Sequence, residues 1–437
     1  MKENAGERMY DLIAKLFPIC RSITGDGFRK SLQMIQDYLP ETEISVFEVP
    51  TGTQVFDWKI PDEWNIRDAY IENSSGERIV DFKRSNLYVL GYSGPIDKTV
   101  SLEELQTYLY SLPAQPDVIP YMTSYYKKRI GFCIEDSRRK QLKEDTYHMY
   151  IDSEWKQGHL TYGEVILPGK SEKEVFFSTY LCHPSMANNE LSGPGVVAEL
   201  IRYVAAKKER NYTYRFIFIP ETIGALTYLS RNLEEMKRKI IAGFNVTCVG
   251  DERAFSYVES RYGNTYADRV ARNVLRGFCP QYKTYSFLER GSDERQYNMP
   301  GIDLPVVSIM RSKLGEYPEY HTSADDLTVI SPKGLADSYR VYVRCIETIE
   351  HNACYRLKCL GEPQLGRRNL YSTLSSKDKE NLKSNKTILN LIAYMDGSND
   401  LIDISDRIHT PFEDIRAIAD KLLACGLISG ADGGADA

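Results

Sequence analysis

From about residue 159 onward the chain repeats one unit, a short apolar run followed by a segment with helical spacing. The runs read YGEVILP, EVFFSTYLC, RFIFIP, GFNVTCVG and LPVVSIM, and helical patterns fall at 194–208, 224–238, 265–277 and 333–350. A strand apolar on both sides must be covered on both faces, and intervening helices supply that cover. The expected fold class is therefore α/β, a mostly parallel sheet sandwiched between helices (α/β/α).

Ligands of such sheets bind beyond the carboxyl ends of the strands, so the residue after each run is the informative one. His183 follows STYLC, Glu221 follows RFIFIP, Asp251 and Glu252 follow NVTCVG, and Arg311 follows VVSIM, with His321 ten residues on in EYHTSADDL. Only six histidines exist in 437 residues, and two of them fall in this set. Neutral imidazoles and carboxylates around an open position are what a catalytic zinc requires. A carboxylate that is not a ligand can take a proton from water. Each residue also has a plainer role: a hydrogen-bonded strand-end histidine for His183, a helix-dipole partner for Glu221, a turn cap for Asp251, the start of an N-cap run for His321. Their joint placement at strand ends favours a site.

The remaining segments differ in character. Residues 6–17 and 27–39 have helical spacing and 43–49 alternates like a strand. From Thr51 to Gly158 the chain is rich in Pro, Asp and Tyr, carries all three tryptophans (58, 64, 155), and reads as a mainly β insertion with one helix at 101–112. Trp58, Trp64 and Tyr121–Tyr126 either wall a cleft or build that insertion's core. Arg290, Asp293, Glu294 and Arg295, in ERGSDERQYNMPG, are candidates for a charged substrate-binding pocket, the alternative being a solvated loop of ion pairs. A polar stretch, about 355–385, reads as a linker. Three short amphipathic helices near 387–395, 400–409 and 411–424 then fit a winged-helix or helix-turn-helix pattern, and GADGGADA reads as a disordered tail. The domain expectation is 1–50 with 159–355, an insertion at 51–158, and a winged-helix domain at 371–430.

Charge narrows the partners. The net charge is −6, which gives no global basis for nucleic-acid binding. Between Tyr371 and Gly430 nine acidic residues face seven basic ones, and the third helix opens with Glu413 and Asp414. Those carboxylates would meet phosphates in a groove, so a protein partner is expected of the winged helix and a DNA-binding regulator is the weaker reading. No apolar run is long enough to span a bilayer, and the polar amphipathic start is unlike a signal peptide. The expectation is a cytoplasmic protein without membrane contact. Nine cysteines with no CxxC pair read as free, mostly buried thiols rather than zinc ligands. No glycine-rich phosphate loop or dinucleotide fingerprint is present.

The blocks His183…NNELSG, PETIGAL, VGDE, SDERQYNMPGIDLP and EYHTSADDL resemble, in order, those of zinc-dependent aminopeptidases, the clan that includes bacterial leucyl aminopeptidases, glutamate carboxypeptidase II and glutaminyl cyclases. Over its full length the chain is more closely similar to bacterial aminopeptidase-like proteins found among polysaccharide-biosynthesis genes. Those combine a zinc-peptidase-like domain, an inserted domain and a C-terminal winged helix. The resemblance implies that His183 and His321 are the histidine ligands and Glu221 the general base. Asn189 stands where the family has its metal-bridging aspartate, and Thr222 where it has a second, ligating glutamate. The last aspartate ligand falls near Thr247 or at Asp251. An asparagine amide is a weak neutral donor, so the implied site holds one zinc, bound by His183, His321 and an oxygen from Glu190, Asn189 or Asp251. The implied activity is hydrolysis of an amide in a small molecule or short peptide. The alternative is a non-catalytic scaffold that keeps the fold. A homo-oligomer is left open.

Overall fold

The structure, a computed structural model, describes residues 5–368, 370 and 379–431. The expected disordered tail lies outside the described residues from 432 on, as does the expected linker at 369 and 371–378. The chain forms two compact units, 1–267 with 283–340, and 268–282 with 341–437.

The first unit is built on an eight-stranded sheet. Its strands, numbered in chain order, are β1 Ser45–Pro50, β2 His159–Leu167, β3 Glu174–Tyr180, β4 Thr213–Ile219, β5 Ile240–Asn245, β6 Ser256–Val258, β7 Lys283–Tyr285 and β8 Val306–Met310. They lie in the order β1-β2-β4-β3-β5-β8-β6-β7. The central four, β4-β3-β5-β8, are parallel. Every residue of β3 and β4 is buried, as the apolar runs require of strands covered on both faces. In register across them, Phe177 stacks between Phe216 and Phe244 at 5.1 and 5.3 Å.

The sheet is mixed: four of its seven strand pairs are parallel, β6 with β7 among them, and three are antiparallel. β1 and β2 pair antiparallel, β2 runs antiparallel to β4, and β6 runs antiparallel to β8. The link from β2 to β3 holds no helix, and a short connection without a crossover reverses the chain.

Helices Ala5–Leu16 and Ser192–Ala205 pack against each other on one face, the second of them against β3 and β4. Gly193 lets that helix pass over the end of β5: a Cβ there would sit 2.3 Å from the Val246 carbonyl oxygen. On the other face, Ile223, Leu226, Leu229 and Met236 of helix Ile223–Lys239 join Phe176, Ile217 and Val306 in one core.

Between β1 and β2 in the chain lies a four-stranded antiparallel sheet, Arg78–Asp81, Glu63–Asn73, Thr146–Lys156 and Ile96–Ser101 in that order. Ala69, Ile71, Val100, Met149 and Ile151 are in its core. The helix expected over 101–112 is cut short. It runs Leu102–Leu105, passes through a 3₁₀ turn at Gln106–Tyr108, and gives way to Leu109–Tyr110, which pairs with Phe132–Cys133.

In the second unit a three-stranded antiparallel sheet places Cys354–Leu357 between Asp396–Asp400 and Ile428–Gly430. Helices Lys379–Ala393, Leu401–Ile408 and Phe412–Ala424 complete it. The linker reading of 355–385 therefore gives way to a strand at its start and a helix at its end. Asp400 caps the middle helix in a capping box with Asp403, and Arg269 donates to both carboxylates, which satisfies the free N–H groups of the first turn.

Candidate active site

Because β3, β4, β5 and β8 are parallel, the residues after them share one edge. His183 lies three residues beyond β3 and Glu221 two beyond β4; His321 is on the loop after β8. The His183 and His321 rings are 5.4 Å apart, and His183 Nε2 is 3.6 Å from Glu221 Oε2. Tyr121 closes the group, its ring 4.9 Å from His183 and 5.2 Å from His321. It comes from the insertion, whose residues 119–121 run along the His321 loop through Tyr121 N–H to His321 O and Ser323 N–H to Ile119 O. Thr222, Cys248 and His321 all take positive φ, at 64, 51 and 56°. Such strain in non-glycine residues collects where surrounding structure forces a functional geometry.

The turn Ala187–Leu191 is a π-helix that precedes helix Ser192–Ala205. Its extra residue changes which side chain faces where, as π-turns do. Glu190 is aimed back at the strand end: it accepts from His183 Nδ1 at 2.6 Å and from the Cys182 N–H. Asp325 ties the turn to the His321 loop by accepting from Asn188 N–H and Asn189 N–H at 2.7 and 2.9 Å, and from Tyr317 OH. Burial pushes the Asp325 carboxyl up to about 6.

Cys182, His183 and Glu190 hold donor atoms within 4.8 Å of one another, but the hydrogen bonds show an orienting cluster. Glu190, one of the expected oxygen ligands, has both oxygens engaged by these donors and is not among the cavity-lining residues. Instead it fixes the ring so that Nε2 points away from it, the usual arrangement behind a ligating histidine. Burial, then the Glu190 charge, holds the Cys182 thiol well above its ordinary value. Burial would lower His183, but the Glu190 charge and hydrogen bond outweigh it and the net shift is upward. His321 is held down to about 3 by burial and by His183, so it is neutral. Burial raises Glu221, opposed by His183 and Arg295.

The cavity in front of these groups has a volume of about 310 Å³. Trp58, Tyr121, Tyr125, Tyr126, Ile23 and Ile223 give it an apolar wall, with Arg295 and Thr222 beside Glu221. The cleft-wall expectation thus holds for Trp58 and for Tyr121, Tyr125 and Tyr126. Trp64 is instead buried in the core, stacked on Tyr92.

The charged loop divides. Arg295 lines the cavity and donates to Thr222 Oγ1 at 2.6 Å. Asp293 is fully buried and accepts the Thr222 N–H at 2.7 Å. Burial, then the Glu221 charge, puts its carboxyl well above the carboxylate range. Glu294 does not line the cavity and holds the turn by accepting from Gly291 N–H, Ser292 N–H, Asn245 and Ser308. Arg290 is not among the cavity-lining residues; its guanidinium lies over the Phe287 ring at 4.7 Å and bonds the Phe287 carbonyl.

Asp251 is also drawn elsewhere. Its oxygens accept from Asn188 Nδ2, from Arg253 N–H, and from both Ser312 N–H and Oγ. Asp251 is not among the cavity-lining residues. Glu252 pairs with Lys333 at 3.1 Å, and Arg311 lies over Phe255.

Whether a metal fits depends on the donors left over. His321 Nε2 and Asn189 Oδ1 are buried without a hydrogen-bond partner among the described residues, and His183 Nε2 faces Glu221. Two imidazoles and an oxygen suit one zinc. Asn189, Thr222 and Thr247 are all neutral, and Thr247 Oγ1 is bonded to Tyr180 OH and Asn189 O.

A family model described as a domain of unknown function, DUF4910, matches residues 10–352, and a winged helix-turn-helix model matches 352–430. The chain belongs to the DUF4910 family. A relative of this DUF4910 chain is a candidate polysaccharide biosynthesis protein with an aminopeptidase-like domain from Clostridium acetobutylicum, 43% identical over 429 residues, covering 98% of this chain and 96% of the relative. A crystal structure of a candidate peptidase from Clostridium acetobutylicum is 42% identical, with a TM-score of 0.90 over 97% of this chain and 96% of that one. The zinc aminopeptidase BSAP from Bacillus subtilis has a TM-score of 0.58 at 14% identity, covering 79% of this chain and 94% of its own. A peptidase M28 precursor from Shewanella amazonensis gives 0.54 at 13% identity, over 79% and 93%. The fold of the DUF4910 region is therefore that of the zinc aminopeptidases, followed by a winged helix.

Proposed function

We propose that this DUF4910 protein is a metal-dependent hydrolase of an amide bond, with Glu221 as its general base. One observation carries the reading: Glu190 fixes His183 by Nδ1, leaving Nε2 turned to Glu221 in a cavity whose wall also holds the neutral His321, its Nε2 without a protein partner. His183 and His321 would hold a single zinc ion, with Asn189 Oδ1 the remaining uncommitted oxygen. Bound zinc polarises a carbonyl and lowers the pKa of water. Glu221 keeps 21% of its side chain exposed and stands where it can take a proton on Oε2 and return it to the leaving nitrogen. Its raised pKa brings it closer to working pH than a free carboxylate. The aromatic wall excludes water from the scissile bond.

The name of the Clostridium relative supports a substrate made or used in surface-polysaccharide synthesis, such as an amide on a sugar or an amino-acid derivative. In the winged-helix unit Glu413 and Asp414 open the helix Phe412–Ala424, which favours a protein partner over DNA. A second reading, a binding protein without catalysis, is supported by the neutral residues Asn189, Thr222 and Thr247.

Elemental analysis of protein purified without chelator separates the two. The hydrolase reading expects about one zinc per chain, and Glu221→Gln that keeps this zinc and loses turnover by about 100-fold or more. Protein that cannot be loaded with zinc sinks the hydrolase.

A further inference from the structure

Arg295, the permanent cation in the wall of the candidate site, forms no salt bridge among the described residues, although the Glu221 and Asp293 carboxyls feel its charge. Arg295 lines the cavity, yet of its five donors the structure engages one, the 2.6 Å bond from Nη to Thr222 Oγ1. Its Nε is buried with no hydrogen-bond partner among the described residues. Two acidic side chains flank it in sequence. Asp293 is turned to the Thr222 N–H, and Glu294 to the Gly291 and Ser292 N–H groups, Asn245 and Ser308. A half-buried guanidinium with open donors is a binding element for a planar oxyanion, because its fork matches a carboxylate bidentately.

The same wall is poor in what a free amine would need. Only one carboxylate lines the cavity, Glu221. An α-ammonium group held there would compete with its proton for the base. Asp293 and Glu294 are fully buried and do not line the cavity. Around Arg295 the surface is aromatic: Tyr125 and Tyr121 join their hydroxyls at 2.7 Å, and Trp58 meets Tyr126 edge-on at 5.4 Å. A volume of about 310 Å³ is at the small end of ligand pockets and suits an amino-acid-sized group.

We infer that the site takes a small amide bearing a carboxylate, bound by Arg295, and not a substrate with a free amino terminus. Arg295 is thus a specificity-determining residue. The inference rests on the hydrolase reading only for which bond is cleaved; the binding itself does not require turnover.

The test compares N-acetyl-leucine, with a blocked amine and free carboxylate, against leucinamide, with a free amine and no carboxylate. Binding of each to the full chain is measured by calorimetry, with ligand-observed magnetic resonance for weak complexes. N-acetyl-leucine is expected to bind about tenfold or more tighter. Arg295→Gln removes that advantage, read as the ratio of the two affinities, while circular dichroism reports the fold. Arg295→Lys keeps a charge without the fork and retains part of the preference. Leucinamide binding as tightly as or more tightly than N-acetyl-leucine, neither probe binding, or a preference untouched by a folded Arg295→Gln overturns the inference. Protein without zinc that still selects N-acetyl-leucine through Arg295 overturns the hydrolase and leaves this inference standing. Zinc-loaded protein that turns over and prefers leucinamide does the reverse.

Discussion

The Glu190 carboxylate accepts from Nδ1 of His183 at 2.6 Å while its other oxygen takes the Cys182 N–H. One buried anion thereby fixes both a tautomer and a strand end. Nδ1 carries the proton, Nε2 is free to act as a donor pair, and the backbone after β3 cannot twist away without exposing an unpaired N–H. Glu190 is 1% exposed, so nothing else in the solvent can take its place.

This relationship predicts the behaviour of Glu190→Gln. The amide keeps the shape, but only one of its ends accepts, so one of the two donors loses its partner. Removing a buried charged hydrogen bond of this kind costs about 1.5–3 kcal/mol, and loss of an orienting partner lowers metal affinity about 10–100-fold. Chelator competition with zinc and urea unfolding of the metal-free protein measure the two effects separately. Unchanged zinc affinity would show that His183 needs no orientation from Glu190.

At the other end of the sheet, Arg215 is 2% exposed and bonds Glu174 through Nε and Nη at 2.5 and 2.9 Å, Glu164 at 2.9 Å and Tyr228 OH at 2.7 Å. Arg215→Met leaves the buried Glu174 charge with Lys239, 3.7 Å away, as its remaining ion-pair partner, and the expected loss is about 3 kcal/mol. Adding Glu174→Leu removes that charge and should recover most of the loss. The bonds lie at the amino ends of β3 and β4, so zinc binding should be unchanged in whichever variant folds. Denaturant melts of the single and double variants decide whether they couple.

Glu63 gives a pH dependence with a definite sign. Burial pushes its carboxyl up, but the Arg29 hydrogen bonds and the His159 N–H outweigh that and bring it to about 2, below the ordinary 4.5. The folded state therefore holds the proton less tightly than the unfolded chain. The stabilisation is complete above about pH 4.5 and is lost as pH falls toward about 2. The difference corresponds to at most about 3 kcal/mol, reduced by solvent screening around the ion pair with the part-exposed Arg29. Glu63→Gln should be less stable than the parent at neutral pH, with the gap closing on acidification. A gap of constant size from neutral to acid conditions would remove the charge on Glu63 as its cause.

His183, Glu221 and His321 were legible in the sequence because each follows an apolar run, and parallel runs end at one edge. The same rule does not foresee the surroundings of Asp251. The chain turns at Cys248 with φ 51° and carries Asp251 onto Ser312 and Asn188, a path that no periodicity encodes. Glu190 was visible as an acid near the right place, but its direction depends on a π-turn one residue longer than a helix start, and residue spacing cannot distinguish the two. β6 and β7 are three residues each, too short to show alternation. Their neighbours in the sheet supply what their sequences lack. The helix read over 101–112 failed for a related reason: its last two residues of strand find a partner in Phe132–Cys133, and a long-range pairing overrode a local preference.

Asn189 allows a sharper test of where the ion binds. Its Nδ2 donates to Tyr180 OH at 3.0 Å, its N–H is held by Asp325, and its Oδ1 has no hydrogen-bond partner. Asn189→Asp places a charge at a position 1% exposed and removes the donor to Tyr180. Without metal, the variant is expected to be about 1–3 kcal/mol less stable, since a buried carboxylate lacks a counter-charge and the Tyr180 hydroxyl can satisfy only part of its demand. With zinc the sign should reverse, because an ion that meets the new carboxylate binds the folded state more tightly and stabilises it by mass action. Melting temperatures of parent and variant, each with and without zinc, form a closed cycle. A zinc-dependent gain larger in the variant than in the parent shows that position 189 faces the ion. An equal gain shows that the carboxylate does not reach it, and leaves His183 and His321 to hold the ion with a different oxygen.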